Sequence, residues 1–403
     1  MVGPMDGGKI RTYSGGVNQS GVRAHNERLL LSVIQRNGAL SGVELARRMG
    51  LTPPAVSTML RKLEADGFLQ RGEPVRGKVG KPSIPITLDA EGALSFGLKV
   101  GRRSADLLLL DFVGNVRDSL HTTYDYPLPE TVFAFLRDGL ETLLSSLATP
   151  LHERLCGIGI AAPFELWKWN DLEGDDAEKF CSWKDVDFQQ EVSDFRDLPV
   201  FMINDATAAC RAEHLFGRGK EFRDYAYFFV GSFIGGGIVL NHTVFEGNQG
   251  NAGALGSMRA TGPMGESHQL IDVASIHVLE TRLIEAGLNP DILWTQPQDW
   301  TALSRYVEPW IGQTAQELAK ASLSVCSVLD FEAIVLDGAF PASVREELVE
   351  RVRRYIVNQD TRGLITPKIE AGTIGTNARE IGAASSPMFR QFFLDTNAGL
   401  SSL

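Results

Sequence analysis

"VGSFIGGGIVLNHTVFEGNQGNAGALGSM", residues 230–258, decides how the larger part of this chain is read. Two short runs of β-branched and aromatic residues sit on either side of "NH", with glycines crowding both ends. The pattern reads as a glycine-dense turn and a hairpin. Glycines beside strands let a ligand, often a phosphate or a sugar, approach the backbone. A sugar held there would need carboxylates or imidazoles for its hydroxyls. Between Asn251 and Met258 there is neither, and Ala254 and Ser257 stand where they would be useful. The loop has the shape of a ligand site without its usual chemistry.

Working outward, the hairpin belongs to a repeated unit. "SFGLKV", "SADLLLLD" and "VRDSLHTTY" read as three successive strands, with Gly114 in a turn. A helix over 131–148 and two buried strands, "LCGIGIAAP" and "LPVFMIND", follow. The set then recurs: "YAYFFVG", "GGGIVLN" and "TVFEG", helices near 269–286 and 311–329, and the strand "AIVLDG". Two such α/β lobes facing each other make a cleft at the ends of their strands, the usual place for a small ligand.

Charge separates this body from what precedes it. Residues 1–90 hold 13 Lys and Arg against 7 Asp and Glu, a balance of +6, while the remainder carries −17 of the total −11. A basic head on an acidic body points to a polyanion-binding module joined to something that does not bind polyanions. The four cysteines, Cys156, Cys181, Cys210 and Cys326, form no CxxC pair, which argues against a disulfide framework and a thiolate metal site. No apolar run approaches the ~20 residues of a membrane span, and no signal leader opens the chain. The expected location is the cytoplasm.

The head reads as three helices. Leu29, Leu30, Val33 and Ile34 recur at helical spacing before "NGAL"; Val43, Leu45 and Met49 give a short second helix closed by Gly50. In "LTPPAVSTMLRKLEADG", Thr52 is the expected N-cap and Pro53 the first helical residue. Val56, Met59, Leu60 and Leu63 then face inward. Thr52, Pro54, Ser57, Thr58, Arg61 and Lys62 are left to face DNA. Two strands around a basic, glycine-rich tip with Arg76, Lys78 and Lys81 follow, as in a wing. The second helix of a helix-turn-helix meets base edges in the major groove while the wing meets phosphates.

"GVNQSGVRAHNERLL", "GLTPPAVSTMLRKLEADGFL", "GIGIAAP", "INDATAAC" and "GSFIGGGIVLNHTVFEGNQGNAGALG" together resemble the ROK family of repressors, open reading frames and kinases, in its regulator branch. The resemblance covers 17–390. It implies an α/β fold: an N-terminal winged helix-turn-helix, then a two-lobed actin-like and hexokinase-like (ribonuclease H-like) body. It also implies a homodimer or homotetramer acting on carbohydrate transport or catabolism genes. The expected organisation is a flexible tail over 1–20, the winged domain over 21–90 and the body over 91–403. Lobe one would take 91–205 with the C-terminal helix near 376–395, and lobe two 206–375.

Departures from the family's kinases account for the missing chemistry. Their first phosphate loop runs Asp-x-Gly-x-Thr; here Lys99 replaces the aspartate and Arg103 the threonine. A metal–phosphate site cannot be expected once its carboxylate is a cation. The second loop, Gly-Thr-Gly-x-Gly, has Phe233 in place of its central glycine. The Glu-x-Gly-His sugar pattern reads Ala254, Leu255, Gly256, Ser257. The zinc segment "RATGPMGESHQLIDVAS" has no cysteine, and Ile271, beside Asp272, takes the place of a later sugar-binding glutamate. The pair Asn204–Asp205 remains; in family kinases the matching aspartate is the general base.

The expectation is therefore a DNA-binding regulator, a repressor and not an enzyme, with no cofactor and no metal. Its partners would be double-stranded operator DNA and a small carbohydrate effector held by Asn204, Asp205, Gly253, Ser257 and His268. Asp205 as a mere helix cap is the plain alternative for that residue. A protein partner as the signal, or an active kinase with a DNA-binding head, are the rival functions.

Overall fold

The computed structural model describes residues 19–74, 83–163, 180–261 and 265–394. The head runs α1 (Gln19–Asn37), β1 (Leu40–Ser41), α2 (Gly42–Met49), α3 (Pro53–Ala65), β2 (Leu69–Arg71) and β3 (Pro85–Leu88). A capping box starts α2: the Ser41 hydroxyl accepts from the Glu44 N–H at 3.3 Å, and the Glu44 carboxylate accepts from the Ser41 N–H at 2.9 Å. Gly50, at φ 65°, ends it in the left-handed conformation. Thr52 sits at the N-cap of α3, but its side chain makes no capping bond. Pro53, with φ pre-set for the first turn, starts that helix instead.

Val56, Met59, Leu60 and Leu63 are buried in one core with Leu30, Ile34 and Leu45. Val43, one of the apolar residues that marked this helix, is 74% exposed, because Leu45 and Ala46 already fill its inward face. The three strands pair antiparallel in the order β1-β3-β2. Residues 75–82, with Arg76, Lys78 and Lys81, lie outside the described residues.

The body opens with β4 (Leu94–Val100), β5 (Ser104–Asp111), β6 (Val116–Thr123), α4 (Pro129–Ser145), β7 (Leu155–Ala162), α5 (Phe188–Ser193), β8 (Val200–Asn204) and α6 (Asp205–Phe216). Its sheet has the order β6-β5-β4-β7-β8, antiparallel through β4 and parallel beyond it. A second passage follows: β9 (Tyr225–Val230), β10 (Ile234–Leu240), β11 (Thr243–Phe245), β12 (Arg259–Thr261), β13 (Ser267–Gln269), α7 (Leu270–Ala274), α8 (Ile276–Glu285), α9 (Ser304–Cys326), β14 (Ala333–Gly338), α10 (Ala342–Val357), β15 (Lys368–Ala371) and α11 (Ala378–Phe392). Its sheet, β11-β10-β9-β14-β15, repeats the same arrangement. The central strands β4, β9 and β14 are buried along their whole length, as strands covered on both faces must be.

The helix expected over 269–286 is two helices. Ser275 adopts an extended backbone between them. Its carbonyl accepts from the Trp310 indole at 2.9 Å and its hydroxyl from the Ile234 N–H at 2.9 Å, so tertiary bonds replace helical ones.

The helices α6 and α11 pack on each other between the two sheets. A Cβ on Gly382 would overlap the Ala208 carbonyl, and one on Gly159 would overlap that of Ala383, so backbones touch directly there. The far end of α11 reaches the head. Arg28 of α1 donates to the carbonyls of Arg390 and Phe393, and the Leu394 N–H donates to Ser32 Oγ at 2.8 Å. Phe68 packs at a tilt against Phe112 and Phe392, with ring centroids 5.8 and 5.0 Å away.

Candidate ligand cleft and nucleic-acid interface

On α3, Thr52, Pro54, Ser57, Thr58 and Arg61 are exposed, and Arg47 on α2 joins them. Lys62 keeps an exposed side chain but also pairs with a neighbouring helix. Successive helical residues lie 100° apart, and Lys62 turns toward α1, where its ammonium meets the Glu27 carboxylate at 2.6 Å. Arg61 is thus the more outward cation of α3 among the described residues.

A cavity of about 380 Å³ lies between the lobes, walled by both glycine loops and by the starts of α6 and α11. The sequence of β8 runs straight into α6, and Asn204 caps that helix: its side-chain oxygen accepts from the Ala206 and Thr207 N–H groups, each at 3.1 Å. This consumes the carbonyl expected to meet a sugar hydroxyl and leaves the amide NH₂ for a ligand. The cap therefore falls on Asn204 and not on Asp205. Asp205 is the first helical residue. One of its oxygens accepts from the Ala206 N–H at 2.9 Å, and the other lies 4.0 Å from the Arg379 guanidinium. Burial raises its carboxyl above the usual range, while Arg379 pulls the other way.

Gly253 and Ser257 line the same cavity. Gly253, at φ 79°, lets its loop lie against the backbone of Gly237. His268 is not on this wall. It lies on β13, where neighbours alternate sides, so Gln269 reaches the cavity while His268 pairs with Glu266 at 3.3 Å. Ile271 faces the cavity, and Asp272 turns back to accept the Gln269 N–H at 2.9 Å as part of the cap of α7. Of "APFELWKWN", Pro163 lines the cleft and the residues from 164 on lie outside the described residues.

The two turns expected to match the family's phosphate loops hold side chains of the chain itself. Lys99 on β4 is 5% exposed and faces its cross-strand partner Asp106, donating to that carboxylate at 2.6 Å and to Ser104 Oγ at 2.7 Å. His121 from β6 meets the other Asp106 oxygen at 2.5 Å. Burial alone would raise the Asp106 carboxyl, but Lys99 and His121 outweigh it and hold it well below the usual range. Glu380, buried beneath them on α11, is pushed up to about 7, first by burial and then by Asp106. Arg103 points to the Asp125 carbonyl at 3.4 Å. Arg102 lies over the Phe233 ring at 5.2 Å, so a residue of lobe one stacks on the ring that blocks the loop of lobe two.

Sequence reasoning missed Arg102, Gln269 and Arg379. Arg379 lies far from Asp205 along the chain, and only the packing of α11 on α6 brings it into the cleft. Its guanidinium sits over the Phe229 ring at 5.1 Å, with Nε buried and unpartnered among the described residues. The group of cleft side chains can accept and donate to sugar hydroxyls; among the described residues it offers no carboxylate pair for a metal–nucleotide. Among the described residues no cluster of His, Cys, Asp and Glu has metal-binding geometry.

Residues 95–269 match the ROK family, and residues 23–70 match the family described as winged helix-turn-helix DNA-binding. A protein of Sinorhizobium fredii, y4fQ, is 24% identical over 376 residues, 91% of this chain and 92% of its own length. The xylose repressor of Bacillus spizizenii is 24% identical over 241 residues, 60% of this chain. The chain spans 62% of the length of that repressor. The crystal structure of a ROK family transcriptional regulator, a homologue of the Escherichia coli MLC protein, shares the fold with a TM-score of 0.64 at 19% identity, over 91% of this chain and 96% of that one. No described helix is long and apolar enough to cross a membrane.

Proposed function

Because the chain carries a ROK-family domain behind an N-terminal winged helix-turn-helix, we propose that it is a transcriptional regulator, a repressor, that releases double-stranded operator DNA when a small carbohydrate enters its cleft. One observation carries the reading: one Asp205 oxygen lines the cleft beside Arg379 while the other holds the Ala206 N–H, and the chain's own Lys99, Arg102 and Phe233 occupy the turns that would cradle phosphates. Asp205 takes vicinal hydroxyls, the Asn204 amide and Gln269 add hydrogen bonds, and Gly253 and Ser257 shape the wall. The body has no kinase activity in this account. The similarity to a xylose repressor makes D-xylose and related sugars the first effectors to try.

Coupling follows from the two helices that pass between the sites. Both α6 and α11 begin in the cleft, and α11 ends on α1 of the head. A sugar that shifts their ends changes how the heads are presented, provided it binds the two cleft states unequally. A two-fold operator is read by paired heads, so the working form is a homodimer or homotetramer in the cytoplasm.

Operator binding tests the head. Arg61→Ala should weaken binding by about 1–3 kcal/mol and relax specificity at one base position, as loss of a bidentate base contact does. Lys62→Ala should change operator affinity much less, because its ammonium is committed to Glu27. Gel shifts in which Arg61→Ala binds as the parent protein does would remove α3 as the reading helix.

A further inference from the structure

A second cavity of about 380 Å³ lies at the seam between head and body, away from the cleft. One wall is the α1 stripe of Arg28, Ser32, Gln35 and Arg36, whose spacing places them on one helical face. The other is formed by α6, the β10–β11 turn and the end of α11. We infer that this seam is a binding site for a small phosphorylated molecule, which ties the DNA-binding head to the body.

Charge carries the argument. Arg36 and Arg28 reach in from the head, and Arg211, Lys220 and Arg390 from the body. Among the described residues Glu246 is the one carboxylate on the wall, and Arg211 already holds it, with Arg390 at 3.9 Å. The arginines are otherwise satisfied by neutral groups: Arg36 by the His242 imidazole, Arg28 by two backbone carbonyls. Arg28 Nε is buried with no partner among the described residues.

The cations also work against each other. Burial lowers the Arg36 guanidinium from its ordinary value, and burial followed by Arg36 lowers the Lys220 ammonium. His214, on the same wall, is pushed down to about 4 by burial, with Arg36, His242 and Lys220 adding to the fall. A cavity that gathers this many basic groups around one carboxylate, itself already paired, is short of an anion. A phosphate supplies two negative charges and oxygens for several donors at once, and guanidinium forks match it. The volume leaves room for a sugar-sized remainder.

The site joins α1 to α6 and α11, the same helices that start in the cleft. An anion bridging Arg36 and Lys220 would fix the head against the body, a control separate from the sugar.

The test is calorimetric titration of the full chain with inorganic phosphate and with glucose 6-phosphate, in chloride buffer of matched ionic strength. The variants are Lys220→Glu, Lys220→Gln and, for the cleft, Arg102→Ala. Saturable binding that falls at least tenfold in Lys220→Glu, falls less in Lys220→Gln and persists in Arg102→Ala is expected. Equal affinity for both probes would identify free phosphate as the ligand, and preference for glucose 6-phosphate an ester; both fit the site. Binding unchanged in Lys220→Glu overturns the proposal, as does binding lost in Arg102→Ala, which would put the anion in the cleft. No binding of either probe to the parent protein overturns it too. Lys220 is exposed, so melting temperatures within a degree of the parent's confirm that the charge, not the fold, was changed.

Discussion

The two lobes share a strand order but fill their first hairpin turns by different physics. Lobe one buries Lys99 at the end of β4 and offsets the ammonium with Asp106 on the paired strand, His121 beside it and Glu380 below. Lobe two inserts Phe233, a half-buried ring held by Arg102 on one side and by His277, 5.6 Å away, on the other. The first closure is built of interdependent charges inside a sheet. The second is a ring on a surface.

The largest test of that difference is Lys99→Met. It leaves Asp106 and Glu380 facing each other without their cation, and breaking a buried pair costs about 3–5 kcal/mol. Urea unfolding at pH 7 measures it, and a loss under 1 kcal/mol would mean that the buried pair is not holding lobe one.

Glu380→Gln sharpens the comparison. The folded carboxyl, raised to about 7, binds its proton more tightly than the unfolded one. Its stabilising share is complete below the unfolded value near 4.5 and is lost as pH rises through about 7. The parent protein should lose more stability across that window than the glutamine variant, which keeps only the smaller loss from His121, whose pairing with Asp106 raises its imidazole. At pH 8 the variant should gain on the order of 3 kcal/mol, at about 1.4 kcal/mol per pH unit. Parallel stability curves from pH 5 to 8 would contradict the buried-acid reading.

Phe233→Ala should matter least, about 1–2 kcal/mol from lost ring burial and the cation–π contact. It should also leave the protein without sugar-dependent ADP release, since lobe one still has Lys99 in place of a carboxylate. Turnover appearing on this one change would show that the ring alone silenced the site.

How far these features could be read in advance follows the range of the forces involved. Hydrophobic periodicity located α3 and its inward Val56, Met59, Leu60 and Leu63, and runs such as "AIVLDG" located central strands, because both patterns are local. The exposure of Val43 and the pairing of Lys62 escaped because both depend on what α1 and α2 leave uncovered. In the cleft, Asp205 was visible from "INDATAAC", but which of the pair caps α6 depends on one helical turn of geometry. His268 was misplaced by a single residue of strand alternation. Arg379 and the cationic seam had no local signal at all, since chain-distant helices assemble both.

The central claim is that one carboxylate, Asp205, links sugar to DNA. Operator retention by the full chain, titrated with D-xylose, glucose, N-acetylglucosamine and their phosphates, tests it in the parent protein and in Asp205→Ala. The expected result is that at least one sugar releases DNA from the parent, with a stabilisation of about 2.7 kcal/mol at a hundred times its dissociation constant. Asp205→Ala should hold DNA equally well without sugar and no longer release it, since each lost charge-assisted bond costs about 1.5–3 kcal/mol. Sugar-driven release from Asp205→Ala at the parent's concentrations would contradict the claim.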